Sequence, residues 1–302
     1  MAIGDWFEVP DCTDLYYVDV GAYGIPGYGT VYVIDAERPA VVDTGLGRNR
    51  EYVFDCLDDL GVEPESIVAT HVHLDHAGGA GYLAERYPDA TVLTPERGVE
   101  HLVDPSRLVA GTKAAVEDQW KYYDEPVPVP EDRIRGLVDG DEIDLGDRSL
   151  YTHHAPGHAP HHAFFHDDGD DVVFTADAAG IYVPETGEVR PTSPPAQFHL
   201  DKCLADAETI AEIDPDVLCY GHFGPRPYHE GVMDEYKRTL VEWVEAVRQK
   251  REELPDDDAV VEYFMDHTDM VEVWGEEKAR AEDRLNTKGV LGYLDYVERA
   301  DD

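Results

Sequence analysis

Short apolar segments alternate with helix-like segments over the first 225 residues, and this alternation constrains the fold more than any other feature. The apolar segments are rich in β-branched and aromatic residues, which predicts strands at 15–20, 29–35, 39–43, 67–70, 91–94, 134–138, 149–154, 163–166, 172–175 and 217–220. Helical spacing predicts helices near 49–60, 79–87, 97–123 with a break at Asp104–Ser106, and 201–213. Two strand-rich halves that carry outer helices predict an α/β sandwich rather than one doubly wound sheet.

The pattern changes near residue 229, after which apolar residues recur only at helical spacing. We therefore predict two domains, a catalytic domain over 1–228 and a helical C-terminal extension over 229–302. Helices are expected from about residue 229 to a stop before Leu254, over 258–273 and over 275–299. The aromatic stripe of the extension favours packing against the main domain; a dimer interface, and so a homodimer, or a substrate lid are the alternatives.

The charge of the chain excludes several classes of partner. Asp and Glu number 66 against 24 Lys and Arg, a formal net charge of −42. Such a surface repels phosphate backbones and anionic membranes, so we expect neither nucleic acid nor a membrane as partner, and a small-molecule substrate instead. With 42% hydrophobic residues the chain can still form a core. An acidic surface that needs salt screening indicates a halophilic, archaeal, cytoplasmic protein.

No segment of the sequence resembles a membrane span or a signal peptide. No run of 18 apolar residues occurs, and the first residues lack a basic stretch followed by an apolar one. The four cysteines are far apart and show no Cys-x-x-Cys spacing, which favours buried thiols in a reducing compartment.

The strongest chemical signal is the segment Thr-His-Val-His-Leu-Asp-His-Ala-Gly-Gly at 70–79, directly after a short apolar strand. In an extended backbone His71, His73 and Asp75 point the same way, whereas His76 joins them only if the chain turns there. Imidazole and carboxylate are ligands of borderline-soft divalent metals such as zinc. Four such groups in six positions are more than one metal needs, which makes two metals plausible.

Three further ligand-type residues each follow a predicted strand and adjoin a small residue. They are His158 in Pro-Gly-His, Asp177 in Thr-Ala-Asp, and His222 in Tyr-Gly-His. Side chains at the carboxyl ends of strands can reach one cleft at the edge of an α/β fold.

Together these motifs resemble the metallo-β-lactamase-fold hydrolases, because the His-x-His-x-Asp-His motif, Pro-Gly-His, the single aspartate and the last Gly-His occur in the family's order over roughly 15–225. The resemblance implies a four-layer αββα sandwich with a two-metal site at its edge. It implies that His71, His73 and His158 hold one metal, that Asp75, His76 and His222 hold the other, and that Asp177 bridges them. Asp43, in Asp-Thr-Gly, matches the family position that orients ligands; an ordinary turn residue is the alternative.

Within the family the chain is most similar to the glyoxalase II-like branch, although no basic glutathione site can be located. The resemblance implies a hydrolase that cleaves a small ester, thioester or lactone with a metal-bridging hydroxide, Asp75 or Asp177 accepting the water's proton. Zinc is the expected metal, with manganese or iron as alternatives. Residues expected to line the substrate pocket are His162, Tyr182, Phe198 and His199.

Two other functions stay open at this point. Sulfur dioxygenases of the same fold use one iron, which His71, His158 and Asp177 would hold here. A metal-stabilised binding module without catalysis is the third reading, and metal content separates the three.

Overall fold

The computed structural model describes residues 2–301 and shows two compact units. The first unit comprises Met1–His154, His161–Ala176 and Asp214–His229, and the second comprises Ala155–Pro160, Asp177–Ile213 and Glu230–Asp302. Both units are discontinuous in sequence. The domain boundary expected between residues 228 and 229 stays a prediction.

The first unit contains two mixed sheets. The first sheet has seven strands in chain order, antiparallel from β1 to β4 and parallel from β4 to β7: β1 Trp6–Glu8, β2 Leu15–Asp19, β3 Thr30–Ile34, β4 Ala40–Val42, β5 Ser66–Val68, β6 Thr91–Pro95 and β7 Ile134–Leu137. The second sheet has the order β15-β14-β11-β10-β9-β8, with strands β8 Glu142–Asp144, β9 Ser149–His154, β10 Ala163–Asp167, β11 Val172–Ala176, β14 Val217–Tyr220 and β15 Pro225–Pro227. Only β11 and β14 run parallel in that sheet.

Strands β3 and β4 of the first sheet are buried on both faces, and strand periodicity assigns each of their side chains to one of two cores. In β3, Val31 and Val33 belong to one apolar cluster, whereas Tyr32 and Ile34 belong to the other. The second cluster also contains side chains of the second sheet, such as Phe165, so it fills the space between the sheets. Because successive side chains point to opposite faces and both faces pack against apolar clusters, the sequence of these strands is continuously apolar.

Helices of the first unit cover the other face of the first sheet. They are α1 Arg50–Leu60, α2 Leu74–Ala77, α3 Ala80–Arg86, α4 Val99–Val103 and α5 Ser106–Val116. Helix α1 contributes Val53 and Leu57 to the cluster that contains Val31 and Val33. It ends at Leu60, and the following Gly61 adopts a φ of 71° that favours glycine over residues with a Cβ.

The second unit is mainly helical. It holds the hairpin β12 Ile181–Val183 with β13 Glu188–Arg190 and the helices α6 Leu200–Ile213, α7 Val232–Glu253, α8 Asp257–Asp266 and α9 Val271–Asp301. Helix α7 contacts α6, α8, α9 and β13 through a stripe that includes the buried Tyr236, Leu240 and Val244. The carboxylate of Asp256 accepts a hydrogen bond of 2.9 Å from the backbone N–H of Ala259 and caps α8.

Most of the predicted elements are confirmed, often within one residue, including the break at Asp104 between α4 and α5. The continuous helix expected over 258–273 is wrong, because α8 ends at Asp266 and α9 begins at Val271. The sequence pattern did not predict strands β1, β8 and β15 or the β12–β13 hairpin. Each of these strands has only three residues.

Candidate metal centre

The His-x-His-x-Asp-His motif follows β5 in the first unit but is not extended throughout. Strand β5 ends at Val68, His73 keeps an extended ψ of 141°, and α2 begins at Leu74. The backbone N–H groups of His76 and Ala77 both donate to the carbonyl of His73, at 3.0 and 2.8 Å. The extended backbone expected through Asp75 is therefore wrong. The turn that His76 required is one turn of helix, which begins before the Ala-Gly-Gly segment rather than within it.

Asp43 lies behind this turn and is 3% exposed. Its Oδ2 accepts a hydrogen bond of 2.9 Å from His76 Nδ1, and its Oδ1 accepts bonds of 2.9 and 2.8 Å from the N–H and Oγ1 of Thr70. Because the proton of His76 is on Nδ1 in this arrangement, Nε2 is the nitrogen with a lone pair for a metal. The contacts are those of a residue that orients a ligand, as the resemblance implied.

The same chain of hydrogen bonds assigns the tautomer of His71. Thr70 Oγ1 donates to Asp43, so it accepts from His71 Nδ1, at 3.1 Å. The bare His71 Nε2 then lies 3.0 Å from His73 Nδ1. Two imidazole nitrogens thus meet at one point, with His71 fully buried and His73 half-buried.

His222 follows β14 and is oriented by backbone rather than by a carboxylate. Its Nδ1 donates to the carbonyl of Tyr28 at 3.3 Å, which leaves Nε2 with the lone pair. Its ring centroid lies 5.1 Å from that of His76. A Cβ on Gly221 would come within 2.5 Å of the His76 ring, so glycine before His222 is required for this approach.

Asp75, His76 and His222 form a cluster that suits a divalent metal ion. One ligand atom from each of the three lies within 4.8 Å of the other two, and both histidines are buried. Two neutral imidazoles and one carboxylate are a donor set that zinc and other borderline-soft divalent ions accept. This donor chemistry, together with hydrogen bonds that fix both imidazoles, fits the metal that the sequence predicted.

A loop that sequence analysis did not single out closes this cluster on one side. The fully buried Asp19 anchors it by accepting hydrogen bonds from the N–H groups of Gly21 and Gly27, at 2.8 and 2.7 Å. Its Tyr23 hydroxyl lies 3.5 Å from Asp75 Oδ2 and 2.6 Å from the hydroxyl of Tyr123. Burial, reinforced by the charge of Asp75, raises the pKa of Tyr23 well above its usual value.

His158 and Asp177 lie in the second unit and contact each other. His158 Nε2 is 3.1 Å from Asp177 Oδ2, and both side chains are at least 94% buried. The backbone carbonyl of Asp177 accepts a hydrogen bond from Thr192 Oγ1 at 3.0 Å. The pair has the residue types that a metal site needs, and its members are held close together.

The Pro-Gly-His segment is fixed against α6. Gly157 N–H donates to Asp206 Oδ2 at 2.8 Å, and the Gly157 carbonyl accepts from the N–H of His199 at 2.9 Å. A Cβ at Gly157 would lie 2.3 Å from the backbone nitrogen of Cys203. Glycine therefore allows the close approach that places His158. Burial raises the pKa of Asp206 to about 7, against the opposing effects of the Gly157 hydrogen bond and Lys202.

The four residues expected to line a substrate pocket have different surroundings. His162 is buried in the first unit with its ring centroid 4.7 Å from that of His71. Tyr182 is half-buried in β12, and Phe198 and His199 pack on Tyr293 of α9, with ring centroids 5.7 and 5.4 Å away. Their contact with a substrate stays a prediction.

Comparison with known proteins identifies the family. A family profile for the metallo-β-lactamase superfamily matches residues 24–222. The chain belongs to the metallo-β-lactamase superfamily. Most members of this superfamily are hydrolases, and the described residues contain a histidine and aspartate cluster that could hold a metal ion. The fold expected from sequence, the αββα sandwich of this family with a helical C-terminal region, is confirmed.

Among similar proteins, a metallo-β-lactamase fold-containing protein of Sulfurisphaera tokodaii, ST1585, is 30% identical over 222 residues, which are 70% of this chain and 79% of that protein. Its crystal structure superposes with a TM-score of 0.73 at 25% identity and covers 93% of this chain and 99% of that one. The human acyl-coenzyme A thioesterase MBLAC2 is 26% identical over 59% of this chain and 68% of its own length. The Bradyrhizobium japonicum subclass B3 metallo-β-lactamase BJP-1, at 24% identity and a TM-score of 0.59 over 83% and 96% of the two chains, shows the fold alone.

The state of the cysteine thiols bears on the chemistry of the chain. All four thiols are free, and burial is the main cause that raises the pKa of Cys56 to about 12, so it stays a protonated, inert thiol.

Over residues 2–301, none of the helices has the length and apolar character that crossing a membrane requires.

Proposed function

We propose that this protein is a binuclear metal-dependent hydrolase that cleaves a small ester, thioester or lactone, with the thioester favoured. The single observation that carries the proposal is the cluster of Asp75, His76 and His222, whose two imidazoles are buried and already oriented by Asp43 and by the Tyr28 carbonyl. The thioester is favoured because a relative is named as an acyl-coenzyme A thioesterase. We retain the glyoxalase II-like branch as part of this proposal on the strength of the motifs.

We propose the following ligands, with zinc as the metal and manganese or iron as alternatives. Asp75, His76 and His222 would hold one ion, His71, His73 and His158 would hold the other, and Asp177 would bridge the two. Support comes from the 3.0 Å approach of His71 Nε2 to His73 Nδ1 and from the 3.1 Å contact between His158 and Asp177. When bound, such ions polarise a carbonyl and supply a hydroxide nucleophile near neutral pH.

In this proposal the chain's own residues position these groups and move one proton. Asp43 keeps the proton of His76 on Nδ1, and the Tyr28 carbonyl does the same for His222. A carboxylate, Asp75 or Asp177, accepts the proton of the attacking water. Tyr23 stays protonated because its pKa is raised, so its hydroxyl remains a hydrogen-bond donor toward Asp75 at neutral pH.

We also propose a setting for this activity. The net charge of −42 supports a halophilic, archaeal, cytoplasmic protein that acts on a small molecule and not on nucleic acid or at a membrane. A homodimer through the C-terminal helices is the alternative to packing of those helices within one chain.

Replacement of a ligand tests the function. We expect His73→Ala and Asp177→Ala to abolish hydrolysis across a panel of thioesters, esters and lactones while far-ultraviolet circular dichroism stays that of the wild type. His166→Ala is the matched control. His166 lies on β10 with its Nε2 2.9 Å from Asp171 Oδ1, and it is not a proposed ligand. Turnover retained in either ligand variant would refute the site assignment, and a wild-type protein inactive on the whole panel would refute the function.

A further inference from the structure

A cavity of about 430 Å³ opens in the first unit beside the Asp75 cluster. Nine residues line it, among them Tyr23, Arg48, Tyr52, Lys121 and Tyr122. Tyr23 belongs to both places, because its ring lines the cavity while its hydroxyl lies 3.5 Å from Asp75 Oδ2. A molecule in the cavity is therefore separated from a proposed metal ligand by a single side chain.

The charge of this lining is opposite to that of the protein. With 66 acidic residues in 302, nine residues drawn at random would include about two acids and fewer than one base. The nine lining residues include no acid and two bases, Arg48 and Lys121. In a chain of net charge −42, a cavity with two cations and no carboxylate is suited to an anion.

Arg48 is held in place but keeps donors to offer. One terminal nitrogen of its guanidinium donates to the backbone carbonyl of Lys121 at 2.8 Å, which ties together the two segments that carry the cations. Within residues 2–300 the side chain of Arg48 forms no ion pair with a carboxylate. A guanidinium has five N–H donors in a fixed fork that matches phosphate oxygens, so the others remain for a ligand.

A nucleotide also needs a ring on which its base can stack, and tyrosine rings line the cavity. Tyr52 and Tyr122 line the cavity, and the ring of Tyr122 packs edge-on to that of Tyr23 with centroids 5.8 Å apart. Phenol rings beside cations bind a flat base by stacking while the cations bind its phosphates. The cavity volume lies within the range of small-molecule sites, ~300–1,000 Å³.

We propose that this cavity binds the phosphorylated nucleotide part of an acyl-coenzyme A substrate, with Arg48 and Lys121 on the phosphates and Tyr52 or Tyr122 on the base. The proposal rests on the proposed function, since it places the leaving group of the thioester next to the Asp75 cluster. It adds a specificity site that recognises the nucleotide end of the leaving thiol and is separate from the proposed metal ligands.

The first test is equilibrium binding of adenosine 3′,5′-bisphosphate, which lacks a thiol and so has no affinity for the metals through sulfur. Calorimetry should show one site per chain, in metal-loaded and in metal-free protein. The variant Arg48→Gln with Lys121→Gln should lose roughly tenfold in affinity, and the loss should shrink as salt rises. Arg38→Gln is the matched control, because Arg38 pairs with Asp144 outside the cavity, and it should bind as the wild type does.

The second test is the preference for coenzyme A over a minimal thiol. The ratio of kcat/KM for an acyl-coenzyme A to that for the same acyl thioester of N-acetylcysteamine should fall roughly tenfold in the double variant and stay constant in Arg38→Gln. No binding of the bisphosphate, or equal binding in the double variant, would overturn the cavity assignment while leaving hydrolysis intact. Arg48-dependent binding of the bisphosphate without any thioester hydrolysis would refute the proposed thioester activity and leave nucleotide binding in the cavity standing.

Discussion

Replacement of Asp43 by Asn separates orientation of a ligand from the metal contact itself. The carboxylate is buried and accepts from Thr70 N, Thr70 Oγ1 and His76 Nδ1 at 2.8–2.9 Å. An asparagine oxygen can still accept from Thr70, but its amide then turns an N–H toward His76 Nδ1–H. A charge-assisted hydrogen bond is lost, which costs about 1.5–3 kcal/mol.

The response of His76 decides the effect on the metal. The ring relieves the clash by moving its proton to Nε2, the nitrogen that must be bare for a ligand. We therefore expect a metal affinity reduced about 10–100-fold, the usual effect of losing such a partner, or about 1.4–2.8 kcal/mol. Competition between the protein and a chelator for Zn²⁺ measures it.

A matched variant distinguishes this effect from general loss of stability. Asp167 is also fully buried and accepts from Gly169 N and Arg148, at 2.8 and 3.2 Å, but contacts none of the proposed ligands. Asp167→Asn should lower the free energy of unfolding and leave the Zn²⁺ affinity unchanged. Equal Zn²⁺ affinities for Asp43→Asn and the wild type would refute the orienting role of Asp43.

Three further predictions follow from individual contacts and from the net charge. Gly157→Ala should lower hydrolytic activity at least tenfold, because the new Cβ would lie 2.3 Å from Cys203 N and displace His158; Gly111→Ala, in open space on α5, should not. Burial raises the pKa of Asp206 from 3.8 to about 7, so the stability that its protonated carboxyl contributes is present below pH 4 and is lost as pH rises through 7. At pH 8 the denaturant concentration at the midpoint of unfolding should therefore be higher for Asp206→Asn than for the wild type, and this difference should vanish near pH 4. The melting temperature should rise as KCl is raised toward and beyond about 1 M, because salt screens a net charge of −42; a melting temperature independent of salt would contradict a halophilic origin.

Much of the fold could be predicted because its strands are short, β-branched and bounded by Gly, Pro or Asp. Strands β9 and β14 have the bounds that sequence alone gave them. Prediction failed where local sequence carries no signal. The interruption between Asp266 and Val271 contains neither Gly nor Pro, so helical periodicity continues across it. The unpredicted strands β1, β8, β12, β13 and β15 form because neighbouring strands pair with them, and a local sequence pattern does not contain that pairing.

For the site, too, some residues could be predicted from the sequence and others could not. The ligand-type residues are visible in sequence because histidine and aspartate in a tight motif are rare outside metal sites. The partners that orient them are not visible, because Thr70 and the Tyr28 carbonyl act through hydrogen bonds formed only in the folded chain. The same is true of the cavity at Arg48 and Lys121, which are 73 residues apart. Asp43 was accessible to prediction through the resemblance of its Asp-Thr-Gly turn to the family.

The most direct test of the central claim is the metal content per chain. Elemental analysis of protein purified in high salt without chelators should find two divalent ions per chain, with zinc, manganese or iron as the candidates. Two ions would agree with the proposed binuclear hydrolase. One iron per chain would contradict it and point to a sulfur dioxygenase, testable by oxygen consumption. No metal, with none taken up on titration, would contradict a metal-dependent activity altogether.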